Sequence, residues 1–221
     1  EPGPLVVVRE AHTEEGEAQM MVQEVDSLVK EDGFRLGDCA VMYRINAQSR
    51  ALEEACLRYG VAYRLIGGVR FYQRREVKDV VAYLRVIQNP YDEVSLDRII
   101  NVPPRGIGSR TIEEAARWAR SRGLPLYTAL QAMVAAQGGE SAQPSLAPRA
   151  LSVIERFLKL MSDLMEGADK LGVADLTDLV LERTGYHRYL LEGDERGEEQ
   201  WENVRELRGQ AAEMQEVAPE R

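Results

Sequence analysis

The chain is 221 residues long, 44% of them apolar, and carries a formal net charge of −9. That is enough to bury a core in one large domain or two smaller ones, but no run approaches the roughly 18 apolar residues of a membrane helix. The N-terminus, Glu1-Pro2-Gly3-Pro4, has neither the basic nor the apolar stretch of a signal peptide.

These features predict a cytoplasmic protein with no membrane partner. Cys39 and Cys56, with no C-x-x-C spacing and no neighbouring histidine, are expected as reduced core residues.

Taken in chain order, residues 5–8 are a short β-branched run suited to a buried strand. Residues 13–30 follow as a helix with Met20, Met21, Val25, Leu28 and Val29 on one face, stopped at Gly33. Residues 39–43 read as a second strand and 49–59 as a helix with Gly60 as its C-terminal stop. Residues 61–66 read as a third strand. Strand, helix, strand, helix, strand is the order of a parallel α/β sheet, and so short a segment forms only part of one. Beyond Gly67-Gly68 the pattern turns helical. Residues 76–88 carry a stripe of Val77, Val80, Val81, Leu84 and Ile87, and residues 95–101 form a short helix ended by Val102-Pro103-Pro104. Ser109 and Thr111 are both candidate N-caps for the next helix, with Glu114 completing a capping box on Thr111. Residues 137–148 are a surface loop by composition. Three further helices are expected over 149–165, 176–183 and 200–214.

The net charge conceals a division. Residues 1–38 sum to −7, residues 39–125 to +6 and residues 126–221 to −8. The middle is a basic island, and 24 of the 28 basic residues of the chain are arginine, suited to planar, bidentate contacts with phosphate or base. Within the island, Tyr43-Arg44-Ile45-Asn46-Ala47-Gln48-Ser49-Arg50 runs from a predicted strand into a helix, where ligands of α/β sheets bind. Arg44 and Asn46 suit unpaired bases and Ser49 and Arg50 a backbone; a capped helix with solvated arginines fits the same residues. Gly67-Gly68 permits either a hinge or a tight turn. Pro104-Arg105-Gly106-Ile107-Gly108 leads into Ser109, Arg110 and Thr111, and a Gly-x-Gly turn before a helix exposes amides to a phosphate. Arg117, Arg120 and Arg122 add charge on the helix that follows. The acidic run 192–199 lacks the regular spacing of a metal loop, and His12 and His187 have no catalytic partner in sequence.

These motifs, together with Arg70-Phe71-Tyr72-Gln73-Arg74-Arg75-Glu76-Val77-Lys78-Asp79, closely resemble the UvrD/PcrA/Rep family of DNA helicases, most strongly over residues 39–112. The resemblance implies an internal slice of a longer protein: residues 1–67 as part of a RecA-like 2A domain and 68–221 as a helical 2B subdomain. The fold class expected is therefore α/β with a partial RecA-like parallel sheet, followed by a mostly α-helical subdomain. It also implies that Arg44, Asn46, Ser49 and Arg50 contact single-stranded DNA, that Arg105, Gly106, Ile107, Gly108, Arg110 and Thr111 contact duplex, and that Gly67 and Gly68 form the 2A–2B swivel. In the segment just named, Arg74, Arg75 and Lys78 are expected to play structural parts. The parent would be an ATP-dependent 3′-to-5′ helicase of bacterial replication and repair, using ATP and Mg²⁺. No Gly-Lys pair occurs here, so the Gly-rich phosphate cradle is missing. No catalytic residue, metal or cofactor is expected in this chain, and its partner is a single-strand/duplex DNA junction. A non-enzymatic module docking a repair protein is the alternative.

Overall fold

The computed structural model describes residues 5–66, 70–135, 146–193 and 195–217, with 216 and 217 through their backbone alone. It divides into two compact units, Glu1–Arg74 and Arg75–Arg221.

The first unit is built on α1 (Glu14–Lys30) and α2 (Ser49–Arg58). Thr13 caps α1, its hydroxyl accepting the Gly16 N–H at 3.0 Å, and three glutamates in the first turn favour the positive end of the helix dipole. The two helices meet through small side chains, Ala18 and Val22 against Ala51 and Ala55, with Met21, Leu52 and Val61 around them. The expected parallel sheet is absent: among the described residues no strand is present. Residues 5–8 lie in solvent, Leu5, Val6 and Val8 at more than nine-tenths exposure, as do Met42 and most of Ile66. A β-branched run states only a preference for extended backbone. A strand exists when a second backbone supplies its ladder partners, and none of the three runs does this for another. Cys56 is buried, with its thiol pushed up by burial and by the Glu53 charge, whereas Cys39 is only half-buried.

The second unit is helical, as expected. α3 (Arg75–Gln88) and α4 (Glu93–Ile99) precede α5 (Ser109–Arg122), α6 (Leu126–Ala135) and α7 (Pro148–Ala168). α8 (Val173–Thr184), α9 (Tyr186–Gly193) and α10 (Gly197–Val217) complete it. The main core gathers Tyr83, Val86, Leu96, Ile99, Leu130, Ile154, Phe157 and Met161, side chains drawn from α3, α4, α6 and α7. A second cluster, Val80, Leu181, Tyr186, Leu190 and Val204, joins α3 to α8, α9 and α10. The α3 stripe is wider than its aliphatic residues suggested, since Glu76, Asp79 and Tyr83 are also buried. Those polar groups are matched across the interface. The Tyr186 hydroxyl donates to Asp79 Oδ2 at 2.7 Å, Arg98 pairs with Asp79 Oδ1 at 2.7 Å, and Asn203 Nδ2 donates to Glu76 Oε1 at 2.6 Å. Within the acidic run 192–199, Glu192 and Gly193 end α9, and Gly197, Glu198 and Glu199 begin α10.

Candidate nucleic-acid interface

In the first unit, Gln48 folds back so that its Oε1 accepts the N–H groups of Arg44 at 3.0 Å and Ile45 at 3.2 Å. This closes a single 3₁₀ turn over Asn46–Gln48 that feeds straight into α2. The motif is thereby divided. Arg44 is exposed and Asn46 half-buried, whereas Ser49 and Arg50 are inside. Ser49 Oγ accepts from Arg74 Nη2 at 2.7 Å and donates to Glu53 Oε1 at 2.9 Å. Glu53 also receives the Tyr63 hydroxyl at 3.1 Å and the Phe71 N–H at 3.3 Å. The Arg50 guanidinium meets Glu54 at 3.0 Å and Glu14 at 3.5 Å, which ties α2 to α1 and offsets its desolvation. The inward pair thus fixes the turn from which Arg44 and Asn46 project. Nearby, Arg70 lies over the Tyr63 ring at 5.7 Å.

In the second unit, the turn before α5 is locked from three sides. Asn101 Oδ1 accepts the N–H groups of Arg105 at 2.8 Å and Ile107 at 3.3 Å. Ile107 is 2% exposed and forms part of the main core. The Arg105 guanidinium is turned inward: Nη1 donates to the carbonyls of Ile99 at 3.0 Å and Pro103 at 3.1 Å, Nη2 donates to the Tyr83 hydroxyl, and the group lies 5.8 Å from the Tyr83 ring centroid and 5.7 Å from that of Phe157. Gly106, between the two anchors, has φ +84°, a conformation that a Cβ would strain. Gly108, rather than Ser109 or Thr111, is the N-cap; its carbonyl accepts the N–H of Thr111 at 3.0 Å and of Ile112 at 3.2 Å. The buried Ile107 sets this earlier start, and Glu114, free of the expected capping box, pairs with Arg110 at 3.1 Å. Gly106, Gly108, Ser109 and Arg110 are exposed and Thr111 is half-buried. Among the described residues, no acceptor meets the N–H groups of Ser109 and Arg110. Asn101, Gln48 and Tyr83 were not singled out in the sequence. For Asn101 a signal was present, because a short amide preceding a Pro-Pro turn commonly bonds the backbone ahead of it.

Burial pushes the Tyr83 hydroxyl up to about 12, partly offset by the Arg105 charge. An unfolded tyrosine ionises near pH 10, so the folded state holds this proton longer, and the stability it contributes is complete below about pH 10 and lost as pH rises through about 12. Tyr186, raised by burial and by Asp79, acts in the same direction. Chemical denaturation at stepped pH should find stability level up to about pH 10 and falling above it; a level profile through pH 12 would contradict this assignment.

Gly67 and Gly68 lie outside the described residues. Among the described residues, no three His, Cys, Asp or Glu side chains are grouped to hold a metal ion. The sequence contains no Gly-Lys pair, so these residues do not themselves supply a Gly-rich, lysine-ended phosphate cradle. No helix among the described residues is long and apolar enough to cross a membrane.

The model of the UvrD-like helicase C-terminal domain matches residues 1–221. The ATP-dependent DNA helicase UvrD1 of Mycobacterium tuberculosis is 44% identical over 188 residues, covering 85% of this chain and 24% of that protein. DNA helicase II of Escherichia coli is 36% identical over 198 residues, 89% of this chain and 26% of that protein. The ATP-dependent DNA helicase PcrA of Bacillus subtilis is 37% identical over 175 residues, 79% and 23% of the two chains. The chain spans about a quarter of the length of the curated relatives it matches.

Proposed function

Because the chain belongs to the UvrD-like helicase C-terminal domain family, we propose that it is a DNA-gripping portion of a helicase, holding duplex at the α5 turn and a single strand at the α2 turn. The observation that carries this is the turn over 105–108, where Asn101, Ile107 and Arg105 fix the backbone from inside while, among the described residues, the N–H groups of Ser109 and Arg110 meet no acceptor. Such a site binds phosphate without reading sequence. Residues 1–67 would be the 2A contribution and 68–221 the 2B contribution of a larger motor. Its ATP-driven cycle, with Mg²⁺ as cofactor, would be supplied outside these residues, and 3′-to-5′ unwinding would follow from moving the Arg44 site along one strand.

Fluorescence anisotropy of the chain with a 3′-tailed duplex, at stepped salt, tests the proposal. The logarithm of affinity should fall linearly with the logarithm of salt, with a slope of about 0.9 per phosphate neutralised, and independently of sequence. Binding insensitive to salt would overturn it. Replacing Arg44 by Ala should weaken single-strand binding by about 1–3 kcal/mol, the range for loss of one base-stacking contact, and leave blunt duplex binding unchanged. An unaltered single-strand titration would remove Arg44 from the site.

A further inference from the structure

The exposed arginines of α5 are not equivalent, and their positions around the helix sort them. Ala115 and Ala119 are buried, with Ile112 and Ala116 packed beside them, so this face of α5 is turned to the core. At 100° per residue, Arg110 and Arg117 fall opposite that face, within about 20° of each other and about 10.5 Å apart along the axis, with Arg120 about 60° round the helix from Arg117. Arg117 and Arg120 are exposed, and the Arg110 side chain is 91% exposed. Arg122 is different: its guanidinium lies over the Trp118 ring at 5.6 Å, on the flank of the helix.

We infer that α5 lies along the phosphate backbone of the duplex beyond the turn, with Arg117 and Arg120 each neutralising a phosphate and Arg122 neutralising none. The inference rests on the duplex reading proposed above and extends it from a point contact at the turn to a helix-long one. Charge complementarity selects the occupant: the exposed surface of α5 carries the three guanidiniums of Arg110, Arg117 and Arg120 against the carboxylates of Glu113 and Glu114, and Glu114 is held by Arg110. Two cations two turns apart on one face match a regularly spaced line of anions better than a single small anion. Arginine, with its planar fork, suits phosphate oxygens along that line.

The test is a salt titration of the same chain with blunt duplex, comparing wild type with Arg117→Gln, the double variant Arg117→Gln/Arg120→Gln, and Arg122→Gln. Glutamine keeps helix propensity close to that of arginine, and circular dichroism confirms that each variant is folded. The slope of log affinity against log salt should shrink by about 0.9 for the single variant and about 1.8 for the double, and hold for Arg122→Gln. Wild-type binding with an unchanged slope in the double variant would overturn the inference while leaving the turn as the duplex site. An equal loss in Arg122→Gln would also overturn it, since net charge alone would then account for the effect. Absence of salt-dependent duplex binding in wild type would overturn the duplex reading itself, and this extension with it.

Discussion

Asp79→Ala should destabilise the second unit by about 3–4 kcal/mol, read as a fall in the denaturant midpoint. Asp79 is 2% exposed and serves two donors from two different elements, the Tyr186 hydroxyl of α9 and the Arg98 guanidinium of α4. Removing the carboxylate leaves a buried hydroxyl without its acceptor and a guanidinium without its counter-charge. Breaking a buried pair from one side costs about 3–5 kcal/mol, and the Arg98 side chain, still 32% exposed, recovers some of that by hydration. Arg98 Nη2 also donates to the Arg75 carbonyl at 3.1 Å, so the same loss loosens the start of α3. Tyr186→Phe removes a single hydrogen bond and should cost about 1 kcal/mol. Adding it to Asp79→Ala should cost less than the sum, since the hydroxyl has already lost its acceptor. A loss below about 1 kcal/mol for Asp79→Ala would mean that the polar seam does not hold α3, α4 and α9 together.

Most helices of the second unit were legible because their buried side chains recur at helical spacing and local stops punctuate them. α1 and α2 were read to within a residue for the same reason: the Thr13 cap and the left-handed Gly60 act within one turn of the chain. The predicted sheet failed because strand pairing is not local. The runs at 5–8, 39–43 and 61–66 have the composition of strands, but composition does not supply the partner backbone. Two helices were overlooked. α6 carries Leu126, Tyr127, Leu130 and Met133 at helical spacing, a signal that was present but short. α9 begins immediately after Gly185, and its buried Tyr186 and Leu190 are too few to establish a period.

The basic island was visible as composition, but composition does not say which way a guanidinium points. Arg50 and Arg74 are buried against Glu54, Glu14 and Ser49, and the half-buried Arg98 pairs with Asp79, so part of the island's charge is used to build the fold. Arg44, Arg110, Arg117 and Arg120 face solvent. The division follows from an element's rotation, which depends on contacts remote in sequence. On α5, the alanines decide it; at the α2 turn, Glu53 and Gln48 do.

Arg105→Ala separates these two uses of arginine at the turn itself. Read from sequence, Arg105 is a phosphate contact, and its loss should weaken duplex binding uniformly while reducing the salt slope by about 1. Read from geometry, its guanidinium satisfies the Ile99 and Pro103 carbonyls and the Tyr83 hydroxyl, and lies near the Tyr83 and Phe157 rings. Truncation then leaves these acceptors unmatched beside the core, at about 2–4 kcal/mol of stability. The backbone of the turn would lose one of its three anchors, so duplex affinity should fall through mispositioned amides, with the salt slope unchanged because no phosphate loses its cation. Tyr83 provides an independent readout: without the Arg105 charge, its hydroxyl should titrate still higher. Denaturation and salt titration of the same variant decide between the two. An unchanged midpoint with a slope reduced by about 1 would turn Arg105 outward to the DNA, whereas a large loss of stability with the slope intact would make it the brace behind the Ser109 and Arg110 amides.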